Sequence, residues 1–218
     1  MTASGTAKAL GVVTVVLAAG KGARLGGPKA LLAWRDGPNG ARELPLAIAH
    51  AEARLAAESE RVLLVVRQQV ATTLLGFVRP GIDLLVSHAD DAMGPAGSLG
   101  AAAERLTGPE VGQVVVTPVD TPPATTETVA ALLRALEADP ELQAARPVHG
   151  GRGAHPVVVR APLLALFRDP APPTLRDALA SLGPACAEVE VADPRSRLDL
   201  DTPADVMRAL GALPRFIR

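Results

Sequence analysis

Three stretches of this 218-residue chain gather residue types suited to handling a polyphosphate. The first runs Leu17-Ala18-Ala19-Gly20-Lys21-Gly22-Ala23-Arg24-Leu25-Gly26-Gly27-Pro28-Lys29-Ala30-Leu31-Leu32. Its small residues let the backbone approach a ligand closely, and successive N–H groups in such a loop can converge on phosphate oxygens. Arg24 adds a planar fork of donors and Lys29 a mobile point charge. The second stretch is Val114-Val115-Val116-Thr117-Pro118-Val119-Asp120-Thr121-Pro122-Pro123, with Asp120 just past a β-branched run. Open α/β sheets bind ligands at their carboxyl edge, and a carboxylate there suits Mg2+ shared with nucleotide phosphates. The bland alternative for Asp120 is a cap on the following helix. The third stretch, Leu198-Asp199-Leu200-Asp201-Thr202-Pro203-Ala204-Asp205, supplies more carboxylates. We expect Asp199 and Asp201 to point to opposite faces of an extended segment, so that Asp201 alone makes the second metal contact. Asp205 follows Thr202 at capping-box spacing, and we assign it to the helix terminus.

The glycine loop differs from two familiar phosphate binders. A Walker loop requires Gly-Lys followed by Ser or Thr, whereas Gly27-Pro28-Lys29-Ala30 interposes proline and lacks the hydroxyl. A dinucleotide fingerprint requires G-x-G-x-x-G, and here Gly26 falls one position late. Two further segments carry weaker signals. Ala92-Met93-Gly94-Pro95-Ala96-Gly97-Ser98-Leu99-Gly100-Ala101 reads as a second glycine turn opening a helix, with Ser98 as its N-cap. His149-Gly150-Gly151-Arg152-Gly153-Ala154-His155-Pro156 offers Arg152 for a bidentate phosphate contact and His155 for a hydrogen bond. A satisfied structural histidine is the competing reading for His155.

The elements that must position these residues are legible from apolar patterning. Residues 12–17, 61–66, 83–86 and 113–117 are continuous apolar runs, as in strands covered on both faces. Helical spacing over 44–57, 98–106 and 125–138 alternates with them. Strands are further expected at 157–160 and 188–191, short helices at 163–167 and 175–182, and a closing helix at 203–210. The pattern predicts a three-layer α/β/α, Rossmann-like fold with a mostly parallel central sheet. We read residues 1–218 as one domain with about ten disordered residues at the start.

Composition excludes several functions. Lys+Arg 22 against Asp+Glu 23 is too balanced for a protein that coats a nucleic acid duplex. Aromatics at 2% leave no stacking platform for single strands. No stretch reaches the roughly 20 apolar residues that span a bilayer. Residues 9–20 loosely imitate a secretory leader, but their β-branched content favours a strand. Cys186 is the single cysteine, so the chain has no internal disulfide or cysteine-built zinc site, and a reducing cytoplasm is expected. The near-zero net charge hides an asymmetry. Lys8, Lys21, Arg24, Lys29 and Arg35 precede the first acidic residue, and the rest of the chain carries the acidic excess. That pattern suits one small, highly charged ligand.

The run Leu17–Leu32 resembles the signature of the MobA-like nucleotidyltransferases, L-A-(A/G)-G-x-(S/G)-x-R-(M/L)-G-x-x-K-x-L-L. Asp120 resembles that family's strand-D-x-P motif, and residues 199–205 its D-(I/V/L)-(D/N)-T-P-x-D motif. The turn before Ser98 resembles its G-M-G-x-S-L segment with an insertion, and 151–157 its G-R-x-G-H-P-V segment. The resemblance implies an NTP bound by Leu17, Ala18, Ala19, Gly20, Gly22, Arg24, Lys29 and Ser98. It implies Mg2+ on Asp120 and Asp201, and catalysis by Arg24, Lys29 and Asp120. Arg152 and His155 would then face the acceptor. Ala19 leans towards CTP over GTP, and the family's usual serine is Gly22 here. The implied reaction transfers a nucleoside monophosphate to a phosphorylated small molecule, of molybdopterin type, with release of pyrophosphate. The product would pass to a molybdoenzyme or a cofactor-delivery protein. A sugar phosphate or other phosphorylated acceptor is the alternative, and a nucleotide-binding regulator without turnover is a further one. Arg176 stands where CMP-attaching relatives have a G-x-R element, but the match is weak.

Overall fold

The computed structural model describes residues 11–35 and 42–218. The disorder expected over the first ten residues, and Lys8 with it, lies outside the described residues. The central sheet is built from β1 (Gly11–Leu17), β4 (Arg61–Val66), β5 (Ile82–Val86), β6 (Val111–Pro118), β7 (Ala144–His149), β9 (Val157–Arg160) and β10 (Cys186–Glu190). Their order across the sheet is β10-β7-β9-β6-β1-β4-β5. β1 pairs in parallel with both β4 and β6, and β9 alone runs antiparallel on this path, between β6 and β7. A two-residue strand, β8 (Arg152–Gly153), folds back on β7. A small ribbon joins β2 (Ala33–Trp34) to β3 (Leu44–Pro45).

Helices α1 (Leu46–Leu55), α2 (Gln68–Leu74), α4 (Thr126–Ala138) and α6 (Pro203–Leu210) cover one face. The other face is covered by α3 (Gly94–Arg105), α5 (Leu175–Ser181) and a 3-10 segment over Ala161–Arg168. Apart from the partly buried Val12, the valines of β1, β4 and β6 are enclosed from both sides, which is why these strands read as unbroken apolar runs. The arrangement is the three-layer, mostly parallel sheet that the sequence predicts.

Several details differ from expectation. Helix α2 is not predicted by the apolar patterning, and the helix expected over 44–57 is confined to Leu46–Leu55 after strand β3. Helix α3 begins at Gly94 rather than Ser98, because Pro95 has the backbone φ of a first helical turn and starts the helix early. Ser98 is therefore inside the helix and not its N-cap. Residues 163–167 form a 3-10 segment, and the strand expected at 188–191 lies two residues earlier. Strand β7 has no continuous apolar run, since Arg146 and Pro147 interrupt it. Its pairing with β9 and β10 makes it a strand. Parallel pairing aligns the carboxyl ends of β1, β4, β5 and β6 on one edge, and the loops leaving that edge bear the chemistry.

Candidate active site

A cleft of about 450 Å³ opens at this edge. The glycine loop leaving β1 makes one wall. Gly22 adopts φ +62°, and a Cβ there would stand 1.9 Å from the Gly27 carbonyl oxygen, so only glycine fits. The Gly22 carbonyl accepts from the amides of Leu25, Gly26 and Gly27 at 2.9, 3.1 and 3.2 Å. Those three amides turn inward, while Ala19, Gly20, Gly22 and Arg24 line the cleft. Leu25 is buried and pins the loop to the core beside Ala30 and Leu32.

The opposite wall comes from two segments distant in sequence. Strand β6 delivers Asp120, and the segment before α6 delivers Asp201. Lys29 joins them. Its ammonium lies 3.4 Å from Asp120 Oδ2 and also donates to Asp201 Oδ1. Arg24 donates to Asp201 Oδ2 at 2.8 Å. The Lys29 hydrogen bond, with the Lys29 and Arg24 charges behind it, holds the Asp201 carboxyl below the usual carboxylate range. Asp199 behaves oppositely. Partial burial and the charges of Asp120 and Asp201 push its carboxyl up. The expectation that Asp199 and Asp201 face opposite ways is corrected by backbone periodicity. Residues two apart on an extended segment share a face, and fully buried Leu200 between them takes the other side. The Leu200 amide donates to the Asp120 carbonyl at 2.6 Å and ties the two carboxylate segments together.

Of the residues singled out in the sequence, Leu17, Ala19, Gly20, Gly22, Arg24, Lys29, Ser98, Asp120 and Asp201 line this cleft. Ala18 does not: its side chain is in the core, and its amide donates to Val65 at 2.8 Å. Asp205 closes a capping box with Thr202, as its spacing predicts. His155 lies near the carboxylates. Burial pushes its imidazole pKa down, opposed by the charges of Asp120 and Asp199. Its Nδ1 is buried without a hydrogen-bond partner. Arg152 is exposed on β8 and is not part of the cleft. Cys186 is partly buried in β10, away from the cleft.

Sequence reasoning missed Arg67, Ser87 and Asp90, which line the cleft beyond β4 and β5. Arg67 donates from Nε to the Ala19 carbonyl at 2.5 Å. The available signal was positional: each follows a parallel strand on the same edge as the glycine loop.

The family model for the MobA-like NTP transferase domain matches residues 14–185, from β1 to the turn before β10. The chain belongs to the MobA-like NTP transferase family. It is a nucleotidyltransferase by that membership. No match was found among curated protein sequences. Among solved structures, Rv0371c from Mycobacterium tuberculosis superposes with TM-score 0.75, at 22% identity, covering 94% of this chain and 100% of that one. Its complex with manganese gives TM-score 0.72 at the same identity and coverage. A molybdopterin-guanine dinucleotide biosynthesis protein A from Archaeoglobus fulgidus gives TM-score 0.62 at 18% identity, over 91% and 96% of the two chains. At these identities the likeness concerns the fold, which this MobA-like chain shares along almost its whole length. No described helix is long and apolar enough to cross a membrane.

Among the described residues, no three His, Cys, Asp or Glu side chains form a group that could hold a metal ion. Asp120 and Asp201 instead form a pair of hard oxygen donors already bridged by one cation, the Lys29 ammonium. A pair fits Mg2+, which binds through one or two carboxylates and takes its other ligands from phosphates and water.

Proposed function

We propose that this MobA-like domain transfers CMP from CTP to a phosphorylated acceptor of molybdopterin type. The observation that carries the reading is the meeting, in one cleft, of Arg24 and Lys29 with Asp120 and Asp201 through the Lys29 bridge. Loop residues 19–24 would wrap the nucleotide, with Gly22 allowing close approach of the phosphates. Arg24 and Lys29 would exchange their carboxylate partners for phosphate oxygens and neutralise charge as it develops. Asp120 and Asp201 would hold Mg2+, which when bound supplies a Lewis acid for the phosphates. An acceptor phosphate is already ionised at neutral pH, so the residues need to position and neutralise rather than remove a proton. The acceptor oxygen forms a bond to the α-phosphorus as the bond to the bridging oxygen breaks, and pyrophosphate leaves.

Ala19 supports cytosine by the resemblance stated above. Its carbonyl is held by Arg67, which fixes the backbone where the base would lie. His155, beside Asp120, supports an acceptor on that flank. The exposed position of Arg152 favours keeping a sugar phosphate as a second reading for the acceptor. Cytoplasmic work in cofactor synthesis, with hand-over to a molybdoenzyme or delivery protein, belongs to the first reading.

The test is pyrophosphate release from each NTP with Mg2+ and a panel of phosphorylated acceptors including molybdopterin. Turnover is expected with CTP and molybdopterin. Turnover only with a sugar phosphate selects the second reading, and none with any acceptor favours a nucleotide-binding regulator. Ala19→Gly should move the CTP:GTP preference towards GTP, and an unchanged ratio removes Ala19 as the discriminator. Asp120→Asn should abolish turnover without unfolding the protein; an active variant refutes the metal assignment.

A further inference from the structure

We infer that His50, supported by Arg54, is a positioning residue for Asp120: from helix α1, behind the sheet edge, it fixes the loop that aims this carboxylate into the cleft. The inference rests on the reading of Asp120 as a metal ligand.

The loop after β6 has little means of fixing itself. Pro122 and Pro123 have no N–H groups, and the stretch from 121 to 125 belongs to no strand or helix. Its shape is imposed from outside. The Val119 amide donates to Leu17 at 3.1 Å, and the Asp120 carbonyl accepts from Leu200 at 2.6 Å. One peptide further on, the Thr121 carbonyl is 2.9 Å from His50 Nε2. Arg54 Nη2 donates to the Ala124 carbonyl at 2.7 Å, and the Thr125 amide donates to Asp193 at 2.9 Å. His50 is 2% exposed and Arg54 3%, and neither lines the cleft.

The chemistry of the two side chains suits this task. Burial pushes the His50 imidazole pKa down to about 4, so it is neutral near pH 7. A carbonyl oxygen only accepts, so Nε2 carries the proton and donates. Arg54 is kept charged in the interior by Glu58, 2.9 Å away one helical turn on. Packing alone would be met by an apolar side chain on this face of α1. A donor aimed at the carbonyl beside Asp120 is what histidine adds. Groups that hydrogen-bond a ligating side chain directly typically command about 10–100-fold in metal affinity or activity, and His50, which acts one peptide away through the Thr121 carbonyl, belongs at the low end of that range.

The experiment measures Mn2+ binding by electron paramagnetic resonance in the presence of a non-hydrolysable CTP analogue, with thermal unfolding alongside. It compares wild type, Asp120→Asn, His50→Phe and His50→Gln. Phe keeps the bulk and loses the donor, whereas the Gln amide reaches the position of Nε2. Mn2+ affinity should fall at least tenfold in Asp120→Asn and about tenfold in His50→Phe, and return to within threefold of wild type in His50→Gln. Affinity in His50→Phe within twofold of wild type, with Asp120→Asn impaired, overturns the positioning role alone. Unchanged affinity in Asp120→Asn overturns the metal reading and the inference with it. If His50→Phe does not fold, His50→Asn replaces it, because its amide stops one bond short of Thr121; equal affinity in the Asn and Gln variants overturns the inference.

Discussion

Lys29→Met separates two roles that the structure gives one ammonium. Lys29 neutralises Asp120 and Asp201 in the folded chain, and in the proposed reaction it also binds phosphate. Its side chain is 13% exposed, so water replaces little of the lost charge. A hydrogen bond to a charged partner contributes about 1.5–3 kcal/mol. At about 1.4 kcal/mol per decade, CTP binding measured calorimetrically in Mg2+ should weaken about tenfold to a hundredfold. Removing the ammonium also unmasks two carboxylates. Two unit charges about 4 Å apart interact by about 4 kcal/mol at an effective dielectric near 20, so these carboxylates should bind divalent metal more tightly without nucleotide. The Asp201 carboxyl, whose pKa is held low chiefly by Lys29, should titrate at higher pH. If Lys29 also contacts the reacting phosphates, kcat should fall by about two to three orders of magnitude, the usual effect of losing one such donor. CTP affinity within threefold of wild type, with kcat reduced less than tenfold, would show that Lys29 serves only to neutralise the aspartates.

Three further outcomes follow from the geometry. Leu200→Ala empties a fully buried site between Asp199 and Asp201 and should destabilise the fold by about 3–5 kcal/mol. Calorimetry should show a Tm lower by about 6–20 °C, and a loss below 1 kcal/mol would mean the carboxylate segment is not anchored there. Gly22→Ala places a Cβ 1.9 Å from a backbone oxygen at positive φ, so CTP binding should be lost while circular dichroism stays native; normal binding would show that the loop relaxes. His50 has a folded pKa of about 4 against an ordinary 6.5, so the unfolded chain protonates first as pH falls. Its stability contribution is full above pH 6.5 and is lost towards pH 4, by about 3 kcal/mol. Urea unfolding at pH 7.5 and 4.5 should show a smaller difference in His50→Gln than in wild type, and equal pH dependence would refute this account.

The strands were legible where burial on both faces wrote an unbroken apolar run, as in β1, β4 and β6. β7 was not, because Arg146 and Pro147 interrupt its pattern and its neighbours make it a strand. The glycine loop was legible because Gly22 answers a local steric demand that no other residue meets. The capping box at Thr202 and Asp205 was legible for the same reason: its partners are three residues apart. Ser98 reads as a cap from its local pattern, but Pro95 in the first turn of helix α3 lies three residues before it.

What the sequence determined by itself is the set of groups whose meaning is local: a glycine loop with three cations, carboxylates after a strand and before a helix, and the strand–helix alternation that orders them. Tertiary structure alone decided which groups meet. Lys29 and Asp201 are 172 residues apart and form an ion pair. Arg67 reaches Ala19, and His50 reaches the loop of Asp120. Those contacts depend on strand order, helix face and the direction of single side chains. Apolar patterning sets the faces that pack, but not the order in which parallel strands lie side by side or which polar groups then meet at their ends.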